Sequence, residues 1–396
     1  ARRRVAVPEL PRGTVRYAPD EAVSPMRAID DAFVEIVQAN PQLRVRVGNP
    51  DELQSNRMVR TLALLKHRVD QPEPGGLEAV DGSVITVLNE EAVIGAALGN
   101  KGGLNIAVSY EAFAVKMLGA MRQEVLFARH QREANAAPGW RGVPVVVTSH
   151  TWENGKNEQS HQDPTLSEPM LGEMSDTARV LFPVDAATAV AALRAIYESE
   201  GVIGTLVAPK QEMPQIFSEH DAHAAMQQGF AALQPLTEAV RVQLVAVGAY
   251  QLLEARRAAE VLAECGCIAQ VVVVLEPGRL RQPRDRIEAG FVCPDAALNA
   301  AFPSDMPRVI VSHTRPEPML GALRRIDGGP RSTAAAGYIN RGGTFDVQGM
   351  LFANHCTWAH IVQLAAQVMA EPATRFLNDR VMNALAGRGH LADLYS

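Results

Sequence analysis

Residues 148–164, TSHTWENGKNEQSHQDP, bring His150, Asn154, Lys156, Asn157, Gln159, His161, Gln162 and Asp163 close together, directly after the apolar run VPVVV. A core segment would carry more apolar side chains. Imidazoles change charge near neutral pH, Lys is a mobile point charge, and carboxamides offer neutral donors and acceptors. Two other polar strand ends stand out: Asn89-Glu90 after SVITVL, and Pro209-Lys210 after VIGTLVA. On the residues alone, Glu90 and Glu91 read more readily as the acids that favour the start of a helix than as groups that do chemistry. Arg57 and Lys210 have the ordinary alternative of solvated surface charges, and Phe113 that of core packing.

The elements that position these residues follow from the hydrophobic pattern. Ser24 and Pro25 open a helix in SPMRAIDDAFVEIVQ, with Ile29, Phe33 and Ile36 on one face. SVITVLN reads as a buried strand, EEAVIGAALG as a short helix, LNIAVS as a strand, and residues 110–134 as a long helix. VPVVVTS, ARVLFP and VIGTLVAP are strands. A helix with Val190, Leu193 and Tyr197 on one face precedes the last of them. Further on, VQLVAVG, IAQVVVVL and PRVIVSH are strands, and helices span about residues 250–265 and 355–369. Short apolar strands alternating with helices predict an α/β fold of two doubly wound domains, each with a mostly parallel sheet. The expected boundaries are a Pro-rich extended arm at 1–24, a first domain at 25–213, a partly helical connection at 214–240 and a second domain at 241–396. In such sheets ligands lie beyond the carboxyl ends of the strands, where the three polar segments fall.

Composition narrows the function classes. The 396 residues are 47% hydrophobic, so the chain folds into globular domains. A net charge of -6 gives no general attraction to nucleic acid or anionic membranes. No apolar run has the length to span a bilayer. The basic start, ARRRVAVPELPRG, lacks the apolar stretch of a secretion signal. Cys265, Cys267, Cys293 and Cys356 lack zinc spacing and read as buried reduced thiols of a cytoplasmic protein.

GNPDELQSNRM, VLNEEAVIGAALG, VSYEAF, NEQSHQDP and VAPKQ, in this order, and the later GYINRGGTFDVQGM, together resemble the phosphoketolases. These are thiamine-diphosphate enzymes related to transketolase. The resemblance covers a phosphoketolase's second half, its pyrimidine-binding domain and carboxyl-terminal domain. It implies that Glu90 bonds the cofactor's aminopyrimidine ring, with Tyr110 and Phe113 as flat apolar walls. It implies that Ser55, Arg57, Asn157, His161 and Lys210 face a sugar phosphate or inorganic phosphate, with Glu52 the structural acid of their segment. Glu90 and His161 would be the catalytic pair. The sequence departs from the family at NEEAV, where a His neighbour is missing. Lys156 stands where the family commonly has His, and joins the expected phosphate-binding set.

The chain has no Gly-Asp-Gly segment with a following Asn, the pair by which relatives hold Mg2+ and the diphosphate. No metal ligands are therefore expected here. Thiamine diphosphate and Mg2+ imply a diphosphate-binding partner: a separate polypeptide, the favoured expectation, or a missing amino-terminal half. Self-association into a dimer of halves is also expected. The implied reaction cleaves xylulose 5-phosphate or fructose 6-phosphate with phosphate, giving acetyl phosphate and an aldose phosphate. Transketolase-type two-carbon transfer to another acceptor and a non-catalytic partner subunit are the alternatives.

Overall fold

The computed structural model describes residues 5–13, 17–18, 21–148, 150–153 and 159–395. They form two compact units: Ala1–His150 with Thr165–Gln227, and Thr151–Pro164 with Gln228–Ser396. Both are α/β, each built on a largely parallel sheet, as the alternating pattern predicts.

In the first unit the strands are β1 (Val45–Gly48), β2 (His67–Arg68), β3 (Glu78–Ala79), β4 (Val84–Ile85), β5 (Leu104–Tyr110), β6 (Val143–Thr148), β7 (Ala178–Leu181) and β8 (Ile203–Ala208). Their order is β3-β2-β4-β1-β5-β6-β8-β7, and every pairing is parallel. β6 and β8 are buried along their whole length, which is why both read as continuous apolar runs. The helix Pro25–Ala39 begins where Ser24 Oγ accepts from the Arg27 amide, and its Ile29, Phe33 and Ile36 are buried. Helix Ala186–Glu198 buries Leu193 and Tyr197, and the Tyr197 hydroxyl donates to the Asn105 carbonyl at 2.9 Å. Its cap, Asp185, accepts from the Thr188 amide through Oδ1 and from the Ile216 and Phe217 amides through Oδ2. One buried carboxylate thus ties the chain leaving β8 back onto the unit.

The second unit has β9 (Phe230–Ala232), β10 (Val240–Val247), β11 (Ile268–Val274), β12 (Arg308–Ser312) and β13 (Thr333–Ala336), in the order β13-β12-β10-β11-β9. Only β9 runs antiparallel, against β11. The chain goes from β10 to β11 on one side and then to β12 on the other, so a topological switch point lies between β10 and β12.

Three expectations need correction. SVITVLN is not a buried strand: only Val84 and Ile85 pair, and Leu88 is 93% exposed, because β4 lies near the ragged edge formed by two-residue strands. The helix expected over 110–134 is broken into Glu111–Ala114, a 3-10 turn at Val115–Met117, and Leu118–Glu133. All four thiols are free, but Cys265 is exposed, sitting where helix Ala249–Glu264 ends and Gly266 turns the chain. The segment after the first unit also contains β9 besides the helix Glu219–Gln228. No described helix is long and apolar enough to cross a membrane.

The second unit carries a pH-sensitive core residue. His360 is 7% exposed, its Nδ1 lies 2.8 Å from Thr357 Oγ1, and its ring stacks on that of His355 at 5.1 Å. Burial, then the His355 charge, lowers its pKa from 6.5 to about 4. The unfolded chain therefore takes up a proton at a pH where the folded one does not. Stability is full above pH 6.5 and is expected to fall as pH drops from 6.5 to about 4, by up to about 3 kcal/mol, and to level off below that. Chemical unfolding from pH 7 to pH 4 checks this: His360→Leu should flatten the slope, and an unchanged slope would contradict the assignment.

Candidate active site

At the carboxyl end of the first unit's sheet, three elements meet on one serine. The turn after β1 is held by the Glu52 carbonyl, which accepts from Ser55 Oγ at 2.8 Å and from Asn56 Nδ2 at 3.1 Å. Ser55 Oγ also bonds the Tyr110 hydroxyl, at the end of β5. Because the Ser55 proton is committed to Glu52, the Tyr110 hydroxyl is the donor. Lys210, just past β8, donates from Nζ to the Ser55 carbonyl at 3.1 Å, and its ammonium lies 5.2 Å from the Tyr110 ring centre. Ser55, Tyr110 and Lys210 are 155 residues apart at the extremes and share one contact.

Arg57 ends the same turn. It is exposed, makes no ion pair among the described residues, and adopts φ 65°, a left-handed conformation uncommon for a residue with a side chain. The Glu52 side chain is exposed, so its backbone carbonyl carries its contribution to the turn.

Glu90 is the first residue of helix Glu90–Gly99, which Asn89 caps by accepting from the Ala92 amide at 2.8 Å. The helix start alone would explain an acid there. Its burial is less ordinary: Glu90 is 7% exposed. Lys116 Nζ donates to Glu90 Oε1 at 3.1 Å, and no described residue donates to Oε2. The Lys116 side chain is 62% exposed, so the attraction is screened by solvent. Lys116 also lies 5.4 Å from the Phe113 ring, which is tilted 57° to the Tyr110 ring at 6.2 Å. A glycine sets this helix against the sheet. A Cβ on Gly48, the last residue of β1, would lie 2.7 Å from the Val93 carbonyl, so the helix backbone approaches as only glycine permits.

Sequence reasoning missed Asp51 and Lys116. Asp51 Oδ2 accepts from Ser109 Oγ at 3.1 Å and from the Tyr110 amide at 3.3 Å, fixing the end of β5 to the turn after β1. Burial raises the Asp51 pKa, and the charge of Glu90 pushes it the same way, while its hydrogen bonds and Lys116 pull it down. Asp51 lay inside the quoted GNPDELQSNRM, so its segment, though not its role, was marked.

His161 belongs to the second unit, half-buried, with Nδ1 2.9 Å from Ser160 Oγ. Lys156 and Asn157 lie outside the described residues. Among those described, no group of three or more His, Cys, Asp or Glu could hold a metal ion.

Glu90 is thus a buried carboxylate with one oxygen to which no described residue donates, linked through Lys116 to the ring of Phe113. Comparison with solved structures first defines the class. A Pichia stipitis transketolase in complex with sedoheptulose 7-phosphate matches over 89% of this chain and 47% of its own, with a TM-score of 0.68 at 19% identity. A split-gene transketolase, described as an inactive beta4 tetramer, matches over 88% of this chain and 99% of its own, with a TM-score of 0.54 at 16% identity. The fold is transketolase-like. Within that class, residues 27–199 match the family model for D-xylulose 5-phosphate/D-fructose 6-phosphate phosphoketolase. A probable phosphoketolase of Lactococcus lactis is 24% identical over 302 residues, 73% of this chain. The resemblance to the phosphoketolases is therefore borne out. The chain spans 37% of the length of that relative.

Proposed function

We propose that this chain is the pyrimidine-binding part of a thiamine-diphosphate-dependent enzyme that cleaves a ketose phosphate with inorganic phosphate. The products are acetyl phosphate, an aldose phosphate and water. The observation that carries the reading is the buried Glu90 carboxylate, paired with Lys116, which in turn lies over the Phe113 ring next to Tyr110. When bound, thiamine diphosphate supplies a nucleophilic carbon for attack on the ketone. Glu90 holds a proton at Oε2 for the pyrimidine ring nitrogen, while Lys116 occupies Oε1. Tyr110 and Phe113 give the ring a flat apolar surface. Lys210 and Arg57 supply positive charge, and Ser55 a neutral group, for the phosphate of the sugar. His161, Asn157 and Lys156 complete the substrate contacts in this reading, with His161 as the acid-base group, and Glu52 holds the turn.

Mg2+ and the diphosphate are held in this reading by another α/β domain, on a separate polypeptide or a further part of the same one. The split-gene transketolase, matched over 99% of its length and described as an inactive tetramer, supports both the divided site and self-association. The experiment is calorimetric titration of this chain alone with thiamine diphosphate and Mg2+. Weak binding is expected; tight stoichiometric binding would overturn the divided site.

Lys210→Ala is expected to raise the Michaelis constant for the sugar phosphate about 10- to 100-fold in the complete assembly, the loss of a charge-assisted bond of about 1.5–3 kcal/mol. Steady-state kinetics with both substrates varied would show it; unchanged constants would remove Lys210 from the site.

A further inference from the structure

The second unit's switch point, where an open α/β sheet ordinarily receives a ligand, is taken by the chain itself. Trp152 is fully buried there. Its Nε1 donates to the His313 carbonyl at 3.1 Å, one residue past the end of β12. Its ring meets the Tyr338 ring edge-on at 6.3 Å, two residues past the end of β13. Beside it the Tyr250 hydroxyl, on the helix following β10, donates to Glu153 Oε1 at 2.6 Å. On the far side of the polar stretch, the Tyr338 hydroxyl donates to the Gln162 carbonyl at 2.7 Å, and Gln162 Nε2 donates to the Gly343 carbonyl at 3.0 Å. A Cβ on Gly342 would lie 1.9 Å from Gln162 Oε1, so the loop of the second unit is shaped to that amide. Arg315 pairs with Asp163 at 3.3 Å and lies 5.4 Å from the Tyr338 ring.

We propose that the second unit serves as the mount for residues 151–153 and 159–164, with Trp152, Tyr338 and Arg315 as positioning residues that set His161. His161 stands next to Gln162 in sequence, so its backbone is placed by the Tyr338 and Gly343 bonds. The claim rests on the reading of His161 as a substrate-facing group, but its anchoring can be tested without any turnover. In that reading the second sheet has a positioning task in the reaction.

The test is Tyr338→Phe in the full chain, which keeps the ring against Trp152 and removes the hydroxyl bonds to Gln162 and Asn340. Hydrogen exchange read by mass spectrometry should speed up about tenfold in peptides covering 159–164, with the amides of β10 and β12 unchanged. The ring signal of His161 in a histidine-labelled sample should shift, while that of His223 stays. Exchange that is unaltered, or that rises evenly across the second unit, overturns the mount. Should Tyr338→Phe not fold, Asp163→Ala breaks the Arg315 pair at a partly exposed site and must give the same local effect. In the complete assembly, Tyr338→Phe should lower kcat. Undiminished turnover in His161→Ala would instead remove the functional reading of His161 and leave the exchange result standing.

Discussion

Glu90→Gln is expected to fold normally, bind cofactor in the complete assembly, and turn over about 10²–10⁴-fold more slowly. The amide has the shape of the carboxyl and keeps hydrogen-bonding capacity, but it cannot pass a proton between its oxygen and a ring nitrogen. The change also removes the ion pair with Lys116, whose exposed side chain makes that loss small for stability. Calorimetry and turnover must be read together. A variant that binds cofactor and works at near-normal rate would discard Glu90, and Glu91 would be the next acid to replace. If the variant fails to bind cofactor at all, the carboxylate is a binding group first, and its role in proton transfer is not supported.

The largest expected effect on stability lies away from the site. Arg129 and Asp176 are each 4% exposed at the side chain and are joined at 2.5 Å. Arg132 adds bonds to Asp176 Oδ2 and to the Asp176 carbonyl, both at 2.6 Å, and reaches the Glu200 carbonyl at 2.6 Å. The network ties helix Leu118–Glu133 to the loops before β7 and β8. Asp176→Ala removes the buried carboxylate that faces Arg129, whose pair with Glu133 involves a half-exposed side chain. The expected loss is about 3–5 kcal/mol, the usual cost of stranding one member of a buried pair. Denaturant unfolding of the first unit, followed by exchange in β7 and β8, would show it. Asp176→Ala combined with Arg129→Leu should recover part of the loss, since no charge is then stranded. A single variant within about 1 kcal/mol of the parent would mean that water reaches Arg129 when Asp176 is gone.

The strands legible in the sequence were those buried on both faces. β5, β6, β8, β10, β11 and β12 are apolar runs, and their helices carry a clean stripe. β2, β3 and β4 are two residues each, β13 is TAAA, and β9 is FAA; none has the length or the branched side chains to announce a strand. Glu90 came forward through the resemblance to the phosphoketolases, since an acid that opens a helix is ordinary by itself. Asp51 and Lys116 did not, because their significance lies in contacts across the sheet that no local pattern marks. The polar loop was noticed for what it lacks in apolar residues. Its single Trp152 is the physical clue that was passed over, since a large apolar side chain in so polar a stretch needs somewhere to be buried.

The close approach at Gly48 makes the location of Glu90 a question of thickness. The helix that begins at Glu90 rests on β1 with no side chain between strand and helix backbone. Any group added there acts as a shim, lifting the first turn of the helix while every residue of the pocket keeps its identity. Val93, far from Gly48 in sequence but against it in space and three residues from Glu90, is the other half of that fit. Efforts to retune how the carboxyl meets its ring therefore have their adjusting screw beneath the helix, at the floor of the unit, and not among the groups that line the opening.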